Sequence, residues 1–445
     1  MKISRVCLLF VFLVFVACKT TGTAPKMSFE EARDVVLSMQ NVPLEPPPRK
    51  MDDILILLER DRHGAMDDIA ELMRRADMEV PFGKNHDDRY QFFKSRGYAR
   101  YELNRFKESR EDIRLAMENG QFANIKDTAL YRLLAELEMN AGRYETAREL
   151  SRTSRKMLRA TGWQHGPYLA FESRVIHRMG YFNIAKHYLE RAHQSWGRVP
   201  KFGRHSHSGY GGDMAISNQI EIIAAEAELL EAQGQYRQAH PLRSMVLNLH
   251  FRIRKTKPLG VVYARLALSG NLMHQGRLIQ AEKEARTAVT EAVCISGRQS
   301  SITAVALQTL GEIILAKGDL PNADILSSAQ VAILGSLGLS TDEDIMIRAR
   351  LFRAAVEGTG YDFSAAMKSY ELALEGMSDN PYFFKRYACR NPGLILTLIK
   401  NRRISEAEKL IRMTRDTNRL LGVDNPHEAA EFQALNFLTI VRNLV

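Results

Sequence analysis

The sequence predicts an all-α protein, a solenoid of stacked antiparallel helical hairpins, and three observations support this prediction. From Val262 to Ala292, small and apolar residues recur at helical spacing on both sides of Gly276. A glycine that follows a helix readily adopts the left-handed backbone conformation that ends it. The same pattern recurs along the chain, and no segment of the sequence has the alternating pattern of a strand.

The hairpin pattern occurs in eight copies. Each copy has a turn tripeptide that ends in an aromatic residue, Leu or Ile, and a small residue follows three positions later. The turns are Asn104-Arg105-Phe106, Gly142-Arg143-Tyr144, Gly180-Tyr181-Phe182, Gly234-Gln235-Tyr236, Gly276-Arg277-Leu278, Gly318-Asp319-Leu320, Tyr361-Asp362-Phe363 and Arg402-Arg403-Ile404. The small residues are Ser109, Ala147, Ala185, Ala239, Ala281, Ala323, Ala366 and Ala407, and they lie 38 to 43 residues apart except for one step of 54. A near-fixed period of this size indicates repeated hairpins packed in a row.

These motifs resemble the tetratricopeptide repeat, whose first helix carries a small residue before the turn. Here the corresponding residues are Gly97, Ala135, Ser173, Ala227, Ser269, Gly311 and Ala354, each seven positions before its turn. The resemblance covers roughly residues 90–445. The period is longer than the family's usual one of about 34 residues, and it is closer to the long-helix repeats of kinesin light chains. The resemblance implies a right-handed superhelical solenoid of about eight repeats, with the first helices on its concave face.

The resemblance also implies a binding role for the concave face. The first-helix residues that family geometry places there are Lys94, Tyr98, Tyr101, Arg132, Arg174, Arg178, Glu221, Glu228, Glu231, Gln308 and Glu312. Their charge changes from basic in the early repeats to acidic in the fourth. We therefore expect another protein or a peptide segment as partner, with no cofactor and no small-molecule substrate. The net charge is +10, but no nucleic-acid-binding motif is present, so we do not expect nucleic acid as a partner.

The N-terminus has the features of an export signal with a lipid attachment site. Lys2 and Arg5 precede an apolar run over residues 6–17. This run is too short to span a bilayer as a helix, which needs about 20 residues. Ala17 before Cys18 resembles the lipobox of bacterial lipoproteins, which implies that residues 1–17 are removed and that Cys18 is acylated. We therefore expect a lipid-anchored protein of the bacterial cell envelope, at the outer membrane and facing the periplasm; the alternative is an ordinary signal peptide in which this cysteine has no role.

Further segments flank the predicted repeats, which occupy residues 81–425. Residues 18–50 are expected to form a tether, with a short helix from Ser28 to Gln40 and a proline-rich spacer after it. Residues 51–80 are a candidate helical pair that caps the first repeat. Residues 426–445 form an unusually apolar capping helix, which either docks on the last repeat, the interpretation we favour, or binds something else.

The irregular step of 54 places extra residues in the segment 195–213. His205, His207 and Asp213 are of the types that bind metals. A His-x-His pair in a glycine-rich loop fixes no geometry, so we favour a contact with the partner over a metal site. The sequence contains no nucleophile elbow, phosphate-binding loop, zinc-protease motif or dinucleotide fingerprint. We expect a non-enzymatic protein without a metal; a metal-dependent activity at this loop and self-assembly through residues 426–445 are the alternatives.

One second helix carries a row of basic residues. They are Arg148, Arg152, Arg155, Lys156 and Arg159, at a spacing that places all five on one helix face. Such a face attracts anionic lipid headgroups or an acidic partner. A solvated helix face is the simpler interpretation, and we favour it.

Overall fold

Helices are the regular secondary structure of the described part of the chain, as the sequence predicts. The computed structural model describes residues 51–59, 71–81, 85–103, 105–157, 165–196, 209–254, 258–378, 384–388 and 391–421. Over these ranges the protein is an all-α solenoid of consecutive packed helical pairs and has no strand. The predicted fold class is therefore confirmed.

A short N-terminal helix, α1 (Met51–Glu59), precedes eight antiparallel hairpins in the described residues. In chain order the hairpins are α2 (His86–Glu102) with α3 (Phe106–Phe122), α4 (Thr128–Asn140) with α5 (Tyr144–Met157), α6 (Gly166–Arg178) with α7 (Phe182–Trp196), α8 (Gly209–Ala232) with α9 (Tyr236–Arg252), α10 (Pro258–His274) with α11 (Leu278–Ser296), α12 (Ser301–Ala316) with α13 (Leu320–Ser336), α14 (Asp344–Thr359) with α15 (Phe363–Gly376), and α16 (Pro392–Lys400) with α17 (Ile404–Leu421). A π-helical turn, Phe384–Ala388, precedes the last hairpin.

At seven of the eight predicted turns, from the second hairpin to the eighth, the first turn residue is described and the chain reverses there as the sequence predicts. The five turn glycines, Gly142, Gly180, Gly234, Gly276 and Gly318, have φ values from 71° to 95°. In the seventh and eighth hairpins Tyr361 (φ 63°) and Arg402 (φ 61°) occupy the same position. A side chain in this left-handed conformation costs roughly 1–2 kcal/mol because its Cβ crowds the backbone. These two turns therefore keep the geometry of the others in spite of their sequence.

Small residues form the closest crossing between the two helices of a hairpin. Ser173 and Ala185 are both fully buried, and the Ser173 hydroxyl donates a hydrogen bond of 2.7 Å to the Ala185 carbonyl. Ser269 donates in the same way to the carbonyl of Ala281 at 2.8 Å. In the first hairpin the direction is reversed, because Ser109 on the second helix donates to the Gly97 carbonyl at 2.7 Å. A helix backbone can be reached in this way only where no larger side chain intervenes.

Buried carboxylates join neighbouring helices in the first three hairpins. Asp112 of α3 is almost fully buried and accepts hydrogen bonds from Arg96 and Arg100 of α2. Glu138 of α4 and Glu172 of α6 have no exposed surface. Arg114 and Arg143 pair with Glu138, while Arg152 and Arg155 of α5 pair with Glu172. Breaking such pairs leaves a buried charge uncompensated, so they fix how adjacent helices stack.

The two parts of the expected N-terminal cap lie in different places. Residues 71–78 pack on the first hairpin, where the carbonyl of Ala76 accepts a hydrogen bond of 2.9 Å from Arg100 Nε. Helix α1 instead packs against α11, with Met51 and Ile54 buried in the core cluster of the fourth to seventh hairpins. Arg298 Nη1 also donates to the Leu58 carbonyl at 3.3 Å. The apolar spacing that predicts α1 does not specify which of several similar apolar edges it covers.

Several expectations concern residues outside the described part of the chain. These are the signal segment 1–17, the lipidated Cys18, the tether 18–50 and the apolar helix 426–445. Among the residues that the structure does describe, no helix is long and apolar enough to cross a membrane.

The strained turn of the seventh hairpin leads to a stability prediction. Tyr361→Gly is expected to raise the free energy of unfolding by about 1 kcal/mol, because glycine adopts positive φ without the Cβ penalty. Gly276→Ala, at the same position of the fifth hairpin, should lower it by a similar amount. Urea unfolding followed by circular dichroism measures both. A stabilising Gly276→Ala would contradict the assignment of backbone strain.

Two helical glycines lead to opposite predictions for the same substitution. A Cβ at Gly311 of α12 would lie 2.4 Å from Cζ of Phe352, whereas a Cβ at Gly270 of α10 would meet nothing within 4 Å. Gly311→Ala is expected to lower the free energy of unfolding by about 1–3 kcal/mol through overpacking. Gly270→Ala should raise it by about 0.5–1 kcal/mol through helix propensity. The same urea titration measures both, and equal effects would show that the helix crossing is looser than described.

Candidate binding surface on the first helices

The first helices of successive hairpins lie side by side and share one polar face. Arg132 of α4 reaches Glu221 of α8 with an Nη2 to Oε2 distance of 3.1 Å, although α6 lies between these helices in the chain. Side chains two hairpins apart meet in this way only if the face is concave. We call this face of the first helices the inner wall. Of the eleven residues that the resemblance assigns to the concave side, Arg132, Arg174, Glu221 and Glu228 meet on this face.

The early basic and later acidic residues of the inner wall pair with one another. Arg174 Nε of α6 lies 3.0 Å from Glu228 Oε2, and Arg174 Nη1 lies 3.8 Å from Glu221 Oε2. With Arg132, these residues form a continuous network of ion pairs from the second to the fourth hairpin. The change of charge along the sequence is therefore neutralised inside the protein to a large extent. The wall is therefore a preformed, charge-balanced surface rather than two separate patches.

The Glu228 carboxylate is the best-stabilised charge of this network. Burial favours its neutral form, but the positive charges of Arg174, Arg178 and Arg243 outweigh that effect and hold its pKa well below the usual range. Conversely, the pKa of Arg174 is raised above its usual value, because the charges of Glu228 and Glu221 outweigh the effect of burial. Both groups stay ionised at any physiological pH. The network is a permanent part of the wall.

Two aromatic rings pack against the Arg132 guanidinium of this network. The Arg132 guanidinium lies 4.7 Å from the ring centre of Phe171 and 5.4 Å from that of Tyr168, both on α6. Such cation–π contacts add about 0.5–2 kcal/mol each and hold the planar group in one orientation. Arg132 therefore connects three consecutive first helices.

The predicted residues of the first hairpin have partners inside the protein. Lys94 Nζ lies 2.7 Å from Asp127 Oδ2, and the Tyr90 hydroxyl donates to the same oxygen at 2.7 Å. Asp127 also caps the N-terminus of α4 with its other oxygen. Tyr98 is half-buried and packs on the core of this hairpin. Lys94 and Tyr98 consequently stabilise the first hairpin and its contact with the start of α4.

The remaining predicted residues also have partners in the described structure. Glu231 accepts hydrogen bonds from Arg243 of α9 at 2.5 and 3.0 Å and from the Asn271 amide of α10 at 2.8 Å. Gln308 is almost fully buried; it donates to Glu312 at 2.7 Å and accepts from Gln330 at 2.9 Å. These contacts link the fourth hairpin to the fifth and the first helix of the sixth to its second.

An exposed tyrosine of the inner wall was missed by the sequence analysis. Tyr263 of α10 is 46% exposed and occupies the position in its repeat that Glu221 occupies in the fourth. Gly270, equivalent in position to Glu228, leaves open space above the same helix. Tyr263 also lies near Tyr101 of α2, whose hydroxyl donates to Glu136 at 2.9 Å. Burial and then the charge of Glu136 raise the pKa of Tyr101 well above its usual value, and Tyr263 adds to this effect.

The histidine-rich segment lies mostly outside the described residues. His205 and His207 belong to residues 197–208, which are not described, and Asp213 lies in the first part of α8. In the ranges that are described, no group of three or more His, Cys, Asp or Glu side chains is placed to hold a metal ion.

Comparison with known proteins identifies the fold. No protein-family model matches the sequence, and no curated protein is similar to it. A Rap protein solved in complex with Competence and Sporulation Factor has a TM-score of 0.54 at 11% identity, with 83% of this chain and 99% of that chain covered. The fold is tetratricopeptide-repeat-like.

Two further solved structures are similar at lower scores. A signal transduction ATPase with a tetratricopeptide repeat sensor, from Pyrococcus horikoshii, has a TM-score of 0.46 at 10% identity and covers 81% of this chain and 53% of its own. NprR in complex with its cognate peptide NprX has a TM-score of 0.32 at 11% identity and covers 98% of both chains.

The ion-pair network leads to a prediction about stability and pH. Glu228→Gln is expected to lower the free energy of unfolding by about 1–3 kcal/mol near neutral pH, because it leaves Arg174 without its closest partner. Glu221→Gln, at a more exposed site, should cost about 0–1 kcal/mol. Urea unfolding measures both.

The pH dependence provides a second test of the same pair. Because the pKa of Glu228 is depressed in the folded protein, its contribution is complete above the unfolded value of 4.5 and is lost as the pH falls through the folded value. The difference in stability between wild type and Glu228→Gln should therefore shrink as the pH falls below 4.5. A difference that grows on acidification would contradict the pairing.

Proposed function

We propose that the protein is a non-enzymatic scaffold that binds another protein or a peptide segment along the inner wall. The observation that carries this proposal is the exposed ring of Tyr263 next to the open space over Gly270, on a wall whose ion pairs form inside the protein. Such a surface is fixed before binding. Little side-chain entropy is lost when a partner arrives, which favours affinity.

The solved Rap complex supports a binding role for this type of solenoid. That protein shares the fold over most of both chains, and its structure contains Competence and Sporulation Factor. We extend only the general role to this chain, because fold alone does not determine function.

The chemistry of the wall suggests what a partner offers. Tyr263 provides a broad apolar ring and a hydroxyl that forms hydrogen bonds, a combination common at interfaces. Glu221 retains 37% exposure of its side chain beside Arg132 and Arg174. A partner segment with an apolar side chain over Gly270 and a hydrogen-bond donor toward Glu221 would satisfy both features.

The proposed location is the bacterial cell envelope, with Cys18 acylated. Support comes from the sequence alone, namely the basic start, the apolar run and the small residue before Cys18. An acyl anchor would confine scaffold and partner to one membrane surface and so raise their effective concentration.

Site-specific photocrosslinking tests the binding face. Benzoylphenylalanine at Tyr263 should capture one reproducible partner from the native envelope. The matched control is the same substitution at Tyr361, a tyrosine of the seventh turn that is 83% exposed and off the inner wall. Equal capture from both positions, or capture of only other copies of this chain, would contradict binding along the inner wall.

The anchor is tested separately with Cys18→Ala in the same full-length protein. The variant should lose acylation by mass spectrometry and move from the membrane fraction to the soluble fraction. Capture at position 263 should then fall, because the effective concentration at the membrane is lost. An unchanged membrane fraction would contradict the lipid anchor, but it would not contradict binding along the inner wall.

A further inference from the structure

The first hairpin touches the loop before the seventh hairpin. The backbone N–H of Lys107, in the first turn of α3, donates a hydrogen bond of 2.5 Å to Glu343 Oε1, 236 residues away in sequence. Beside it, Lys107 Nζ lies 3.4 Å from Asp342 Oδ2. Five hairpins, the second to the sixth, lie between the two contact sites along the chain. The solenoid therefore returns to its own first repeat at this point.

Glu343 takes the place of a helix cap that α3 lacks. The N-cap residue of α3, Arg105, makes no side-chain capping hydrogen bond. The first N–H groups of a helix have no acceptor within the helix, so a carboxylate from elsewhere can occupy this end. Glu343 is itself the N-cap residue of α14 but makes no side-chain capping bond there. Its side chain caps α3 instead, and the ends of two distant helices are joined.

The Glu343 carboxyl group is buried with little compensating charge. Glu343 and Arg110 of α3 are each 7% exposed. The Lys107 ammonium group pairs with Asp342, and this pair is about half exposed and so contributes little. Arg110 attracts Glu343, but it also faces Glu138 of α4, with Arg114 and Arg143 nearby. A buried carboxylate held mainly by a neutral N–H group is costly to ionise.

We propose that Glu343 is a proton-dependent clasp that closes the solenoid by capping α3 of the first repeat from the loop before the seventh. Protonation removes the cost of burying the charge and leaves a carboxyl oxygen that still accepts from the Lys107 N–H. The clasp therefore tightens as the pH falls from about 8 to about 5.

The direction of this pH dependence follows from proton linkage. Burial, opposed by the Lys107 N–H and Arg110, raises the pKa of Glu343 from 4.5 to about 7 in the closed contact. The closed form consequently binds more protons than the open form between these values, and closure is favoured on acidification. Asp342 has the opposite tendency: burial raises its pKa, but Ser340 and Lys107 outweigh this and lower it, so it stays charged over this window.

Amide hydrogen exchange of Lys107 in the full-length protein measures the clasp directly. This N–H lies in the first helical turn, so its protection reports the bond to Glu343. After correction for the intrinsic pH dependence of exchange, protection should rise on the order of tenfold between about pH 8 and about pH 5.5. In Glu343→Gln, whose amide oxygen still accepts but does not titrate, protection should be the same at both pH values.

The control variant is Asp342→Asn, which removes the exposed ion pair only and should keep the pH dependence of the wild type. Exchange of the Ile313 amide in α12 reports that each variant is folded. A Lys107 amide that is unprotected at both pH values, or a wild-type protection that does not rise on acidification, would overturn the proposal. If Glu343→Gln kept the pH dependence, another group would be its cause, and the proposal would be overturned as well.

Discussion

The first, third and fifth hairpins of this protein depend on one close crossing, where a small residue of the first helix meets a small residue of the second. Ser269 with Ala281 and Ser173 with Ala185 show the contact most clearly, since a hydroxyl on one helix reaches the backbone of the other. The crossing also fixes the rotation of the first helix about its axis. The residue directly after the small one then faces the inner wall, as Arg174 does after Ser173. Packing inside a hairpin thereby determines which side chains a partner can meet.

The inner wall is organised by charges that pair across hairpins. Arg132 of α4 and Arg174 of α6 carry the positive charges, and they pair with Glu221 and Glu228 of α8. Such pairs are costly to break once they are largely removed from water. They join the second to fourth hairpins, while Tyr263 of the next hairpin remains exposed and is the residue on which the proposed binding rests.

Local features of the fold could be predicted from the sequence, because one repeat determines them. The turn glycines and the small crossing residues recur at a fixed spacing, so eight weak signals reinforced one another. Tyr263 could have been found in the same way, since it stands six positions before Ser269, as Glu221 stands before Ala227.

Contacts between distant repeats could not be predicted, since no sequence period encodes them. A solvated face is the interpretation that we favour for the basic row, yet its members Arg152 and Arg155 on α5 pair with the buried Glu172 of the next hairpin. The position of α1 against α11 and the contact of Lys107 with Glu343 depend on the curvature of the whole solenoid. Small changes in the angle between neighbouring hairpins accumulate along the chain, so only the structure shows which distant hairpins come into contact.

A hydrogen-exchange footprint tests most directly whether the inner wall is the binding face. The free protein is compared, segment by segment, with the complex purified together with its captured partner. Binding along the wall predicts slower exchange in the first helices α4, α6, α8 and α10, with the second helices unchanged. Slower exchange confined to the second helices or the turns would contradict this account and place the partner on the outer surface.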